Sequence, residues 1–210
     1  MTLHELRRET RSVAAEWTVH AIAEHVRAAV PVLNALELES PRLARWAMQL
    51  AERLEAGGRL LTAGNGGSAA EAQHLAAEFV GRFRSERRPY ASIALNTDSS
   101  AVTAIANDYG FEEVFARQIR AHARPGDIVL LLSTSGASAN LLAAARASAE
   151  TGAVSWAITG PAPNPLASAC DDAITLPGAS SNVQEAELVA VHALCVAFDA
   201  LVGTDEEVLR

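Results

Sequence analysis

The 210-residue chain is 50% hydrophobic and 20% charged, with a formal net charge of -8 and a pI near 5.2, the balance of a globular protein of one domain with a short appendage. All 17 basic residues are arginine, which excludes mechanisms built on a side-chain amine, such as Schiff-base catalysis, PLP anchoring and the Walker lysine. The acidic balance speaks against a nucleic-acid partner, so anions must be held by backbone N–H groups, hydroxyls and a few arginines.

The N-terminus MTLHELRRETRSVAAEW is studded with charges, unlike a secretory signal or a membrane span. No stretch approaches the roughly 18 apolar residues of a transmembrane helix, and the chain reads as cytoplasmic. Residues 1–56 read as a helical segment. Apolar residues recur at three and four through Val13, Trp17, Ala21 and Ile22, then through Leu43, Trp46, Ala47, Leu50 and Leu54. Two amphipathic helices fit, the second opened by Ser40-Pro41 and closed by Gly57-Gly58, packing on the core or forming an oligomer contact.

From residue 57 to 202 short apolar runs alternate with helical patterns. The runs are 59–64, 92–96, 127–133, 154–159 and 172–177, which predicts an α/β domain with a doubly wound, five-stranded parallel sheet flanked by helices. Residues 203–210 are a C-terminal tail. Ligands of such sheets gather beyond the carboxyl ends of the strands. Cys170 and Cys195 lack a CxxC spacing and read as incidental thiols of a reducing compartment.

Two strand ends carry candidate ligand loops. The first run ends in Gly64-Asn65-Gly66-Gly67-Ser68 and passes into a helix, which presents backbone N–H groups and the positive end of a helix dipole to an anion. Gly64, Gly66 and Ala69 also satisfy GxGxxA, but the acidic residue expected about 20 positions later is not cleanly present, the next strand end bringing Asn96 and Asp98 at about 30. Dinucleotide binding, a structural turn and phosphate or sugar binding all remain open for this motif. The third run ends in Ser133-Thr134-Ser135-Gly136-Ala137-Ser138, where small hydroxyls either cap a helix or bind phosphate without lysine.

Further candidates lie on the helices. His74 and Glu78 share a helix face at i, i+4, a surface hydrogen bond or a pair that zinc accepts. The last helix carries Gln184, Glu185, Glu187 and His192, the histidine among apolar neighbours. Asn107 and Asp108 either close a turn or hydrogen-bond a polyol. Arg82, one turn beyond Glu78, either forms an i, i+4 ion pair or reaches the substrate.

Taken together, GNGGS…QHLAAEFVGRF, AIANDYGF, STSGASAN and VQEAELVAVH resemble the sugar isomerase (SIS) domain, and within it the phosphoheptose isomerases. The likeness runs from about residue 40 to 200. It implies a homotetramer with active sites at subunit interfaces and zinc held by His74, Glu78, Gln184 and His192. It also implies substrate contacts from Asn65, Gly66, Gly67, Ser68, Glu78, Asn107, Asp108, Ser133, Thr134, Ser135, Ser138 and Gln184, with Glu78 and His192 as catalytic acid and base. The implied reaction converts sedoheptulose 7-phosphate to D-glycero-D-manno-heptose 7-phosphate through an enediol. IALNTDSSAVTAIAND is also similar to replication-initiator-associating proteins of the same fold, tetrameric scaffolds that bind a protein partner; His192 and Gly67 favour the enzyme. Ala69-Ala70 depart from the histidine and bulkier residue that many isomerases carry after the turn, which bears on substrate preference.

Overall fold

The computed structural model describes residues 3–84 and 86–203, with side chains from Glu16 onward. Val13 and the tail residues 204–210 therefore lie outside what is described. Helix α1 (Leu3–Leu38) runs through Pro31, and α2 (Ser40–Glu55) follows after one residue. That short connection changes the expected cap. Ser40 lies inside the first turn, where its hydroxyl donates to the Glu37 carbonyl instead of capping α2, while Pro41 stands in the opening turn as expected.

Five strands follow, β1 (Leu60–Gly64), β2 (Ser92–Ala94), β3 (Ile128–Ser133), β4 (Val154–Thr159) and β5 (Asp172–Thr175). They alternate with α3 (Gly66–Val80), α4 (Ser99–Tyr109), α5 (Ala116–His122), α6 (Ala139–Thr151), α7 (Pro165–Ala169) and α8 (Ser180–Val202). All pairs are parallel and the strand order is β2-β1-β3-β4-β5. The order reverses between β1 and β3, the crevice where open sheets of this kind take ligands. Both strands are buried throughout, and their register sets Gly64 opposite Leu132. The two candidate loops therefore emerge side by side.

The alternation of strand side chains feeds two cores. Leu60, Ile128, Leu130, Trp156 and Ile174 pack with α2, α3, α8 and the end of α1. Leu61, Ala63, Val129, Leu131 and Ala157 pack with α5 and α6 on the opposite face. Trp46 of α2 stacks on Trp156 of β4 at 4.6 Å, and its Nε1–H donates to Asp172 at 2.8 Å. The second half of the N-terminal segment is thus part of the main core. The first helix packs on the core through Val32 and Leu36, while Trp17 and Ile22 are 71% and 61% exposed, and Val26 and Val30 continue the same apolar stripe into solvent. A 36-residue helix is about 54 Å long.

Candidate functional site

The turn after β1 is shaped by close approach. A Cβ on Gly64 would run into the Ser68 carbonyl, and Gly66 adopts a left-handed φ of +56°, conformations that glycine alone meets without strain. Asn65 stands at the N-cap of α3 with no side-chain cap bond. Its amide instead exchanges two 2.9 Å hydrogen bonds with the buried amide of Asn140 on α6. This tie locks the glycine turn to the helix that follows β3, and it leaves the first N–H groups of α3 without a side-chain acceptor, the arrangement that suits an anion.

The hydroxyl loop is partly self-satisfied. The Ser133 hydroxyl, buried, accepts from Gly136 N–H at 3.2 Å, and the Ser135 hydroxyl accepts from Ala137 N–H at 3.3 Å. Thr134 and Ser138 are half-buried and Ser135 is exposed. Ser138 is the N-cap of α6 by position but makes no side-chain cap bond, so its hydroxyl is uncommitted there. Asn107 and Asp108 lie exposed in the last turn of α4, not in the turn beyond it, and are joined to each other at 2.9 Å.

Helices α3 and α8 pack together in the same direction, and their facing residues meet level by level. Near the turn, Gly67 leaves room for the Gln184 amide, which a Cβ would displace. One level on, Ser68 donates to Glu187 at 2.7 Å, and Glu187 pairs with Glu71. At the third level, His74 Nε2 is 3.0 Å from His192 Nε2 and 3.1 Å from Glu78 Oε1. The three donor atoms lie within 4.8 Å of one another. Two nitrogens bound to one tetrahedral zinc at about 2.0–2.1 Å stand roughly 3.3 Å apart, and three protein ligands with an open position is the pattern of a catalytic zinc site. The trio fits that ion. Gln184 lies eight residues before His192, about 12 Å along α8, with its side-chain amide against Gly67.

The far end of this seam is anchored by Arg87. Its buried guanidinium donates to the Glu78 and Phe79 carbonyls at 2.7 and 3.2 Å and to Asp199 at 2.8 Å, among the rings of Phe79, Tyr90 and Phe198. The carbonyls that end α3 are thereby satisfied beside the glutamate of the trio. Arg82 forms its i, i+4 pair forward with Glu86, at 4.0 Å, and donates to the Arg84 carbonyl. Burial pushes the Cys170 and Cys195 thiols up to about 12, which leaves both as inert packing groups.

Sequence reasoning passed over Glu71 and Glu187 as site elements. Glu187 is fully buried and Glu71 nearly so. Burial pushes the Glu187 carboxyl up to about 8 and the Glu71 carboxyl to about 7. One oxygen of each, Glu71 Oε2 and Glu187 Oε1, meets no donor among the described residues, and a proton shared between the two groups satisfies both. A signal existed. Val183, Ala186, Ala190, Val191 and Leu194 form the buried stripe of α8, and Glu187 falls on that stripe.

A family model described as the SIS domain matches residues 24–160. The chain is 53% identical to the phosphoheptose isomerase of Streptomyces coelicolor over 195 residues, 92% of this chain and 84% of that protein. It is 43% identical to the Roseiflexus enzyme of the same name, over 83% of this chain and 89% of the relative. Among solved structures, the phosphoheptose isomerase from Francisella tularensis superposes with a TM-score of 0.78 at 32% identity, covering 87% of this chain and 98% of that one. The corresponding structure from Neisseria gonorrhoeae gives 0.77 at 36% identity, with 89% and 99% coverage.

The buried carboxyl pair carries a pH signature. Folded, the two groups keep protons up to about pH 7 and 8, whereas unfolded glutamates lose them near about 4.3. The folded state therefore binds more protons than the unfolded one across this window, and the pair's contribution to stability is complete in mild acid and is lost as pH rises through about 8. Urea denaturation should show a steeper loss of stability between about pH 5 and 8 in the wild type than in Glu187→Gln. Parallel profiles would refute the shared proton.

Proposed function

The chain belongs to the phosphoheptose isomerases of the SIS-domain family, aldose–ketose isomerases of sedoheptulose 7-phosphate, and we propose that Glu78 and His192 perform its proton transfers. The observation that carries this reading is the meeting of Glu78, His74 and His192 within 4.8 Å where α3 faces α8. Glu78 takes a proton from C1 of the open-chain ketose and returns it to C2 of the enediol. His192 moves a proton between the oxygens on those two carbons. Paired acid and base groups of this kind contribute about 10²–10⁴-fold each.

Substrate binding follows from the loops. Ser135, Ser138 and Thr134, with the N-terminus of α6, hold the phosphate, while Asn65, Gly66 and Gly67 face the sugar with main-chain N–H groups. Asn107 and Asp108 bind hydroxyls of the polyol. Ser68 serves through its main chain, since its hydroxyl is committed to Glu187. His74, Glu78 and His192 would hold a zinc ion, which would supply Lewis-acid polarisation of the carbonyl oxygen, with Glu78 exchanging between the metal and the substrate proton during turnover. The scaffold alternative, with a replication-initiator-type partner, is not favoured: the relatives above carry the isomerase name and the acid–base pair is in place.

The assembly is a homotetramer in this reading, and its site is cytoplasmic. Support for self-association comes from the apolar stripe that α1 leaves open in one chain, since large exposed apolar stripes mark protein interfaces. Among the described residues no helix is long and apolar enough to cross a membrane.

A coupled assay for heptose 7-phosphate tests the acid–base pair. Glu78→Gln and His192→Gln should each lower kcat about 10²-fold or more at unchanged stability; an inactive wild type with zinc supplied overturns the activity, and active variants overturn the roles. Metal analysis of the purified protein should find one zinc per chain, lost in His74→Ala. Light scattering should give four times the 22.1 kDa chain mass, and a monomer would remove the tetramer.

A further inference from the structure

A carboxyl group with no solvent exposure is a costly feature, because a buried charge or an unpaired acid oxygen loses its hydration. Glu187 is such a group on α8, three residues after Gln184 and five before His192. Its partners are not spread through the core. Ser68, in the first turn of α3, donates its hydroxyl at 2.7 Å, and the main-chain N–H of Ser133, at the end of β3, faces the same carboxyl. Glu71, its third neighbour, also meets the Gln184 side chain. One side chain therefore binds the glycine turn through Ser68, lies near the main chain at the end of β3, and stands on the helix that carries His192.

We propose that Glu187 is a positioning residue for the isomerase reaction, holding the glycine turn through Ser68 and the hydroxyl loop through Ser133 at the spacing that the sugar and its phosphate require. The proposal rests on the isomerase reading of the same site and adds to it a residue that touches neither substrate nor metal. The Asn65–Asn140 amide pair ties the loops at their rim; Glu187 ties them from beneath, within the buried seam. Since Ser68 spends its proton on Glu187 Oε2, the hydroxyl acts as the linker, and only the main chain of the turn is left to meet a ligand.

A merely structural carboxyl and a positioning carboxyl respond differently to an apolar replacement. Leucine at this position fills a similar volume without a buried polar group, and such exchanges are often neutral or stabilising. Glu187→Leu should keep or raise the melting temperature yet increase KM about tenfold, with kcat within about threefold, the scale on which small misplacements act. Glu187→Gln keeps an oxygen for Ser68 and an amide for Glu71, and should restore the wild-type KM. Ser68→Ala should reproduce the raised KM, and adding it to Glu187→Leu should bring no further loss, as for two residues acting through one contact. Calorimetric titration with inorganic phosphate reads the hydroxyl loop without turnover, and the leucine variant should bind it more weakly than the wild type.

A folded Glu187→Leu with wild-type KM and phosphate affinity overturns the proposal. So does a Ser68→Ala enzyme with wild-type KM, which also decides the matter if the leucine variant fails to fold. An inactive wild type overturns the isomerase reading instead, and the phosphate titration then still separates the variants.

Discussion

The contact on which the rest depends is the parallel seam between α3 and α8. Two helices that run in the same direction keep one sequence in step with the other, so each turn of α3 meets a defined turn of α8. Gly67 meets Gln184, Ser68 and Glu71 meet Glu187, His74 meets His192, and Phe79 meets Phe198 at 4.7 Å. A slip of one residue would turn each facing side chain through about 100° and dissolve all of these contacts together. The sheet contributes the other half of the geometry, because the reversal of strand order between β1 and β3 delivers both loops to the same end of that seam.

The parts of this arrangement that follow local rules were readable in the chain. Buried strands announce themselves as unbroken apolar runs, and all five lie within the segments where such runs occur. Gly64-Asn65-Gly66-Gly67 announced a turn because its backbone conformations are open to glycine. His74 and Glu78 share a face by spacing alone. What could not be read depends on which helix lies against which. The partner of Ser68 is 119 residues away, and neither residue's neighbours in sequence hint at the pairing. Ser68 looked like a substrate contact for that reason. The signals of α1 left its role open in another way: an apolar stripe at helical spacing is the same whether it covers a core or awaits a second surface.

The absence of lysine takes on a definite structural form. The buried positive charge at the foot of the seam has to reach two helix-end carbonyls, a carboxylate and the carbonyl of Arg88 at once. A planar guanidinium with five donors can do this, and an ammonium with three cannot. The ligand loops, by contrast, carry no cation of their own, and their polarity comes from main-chain N–H groups and hydroxyls.

Arg87 also gives the seam two ends of unlike character. Its guanidinium is paired with Asp199 and bonded to the carbonyls of Glu78 and Phe79, so the turn that bears Glu78 is held by an ion pair. Two helical turns toward the loops, the tie is a proton held in common by two acids. The seam is thus fastened by an ion pair at the end that bears Glu78 and by neutral acid groups at the end that meets the loops, and an alkaline medium acts first on the second of these fastenings.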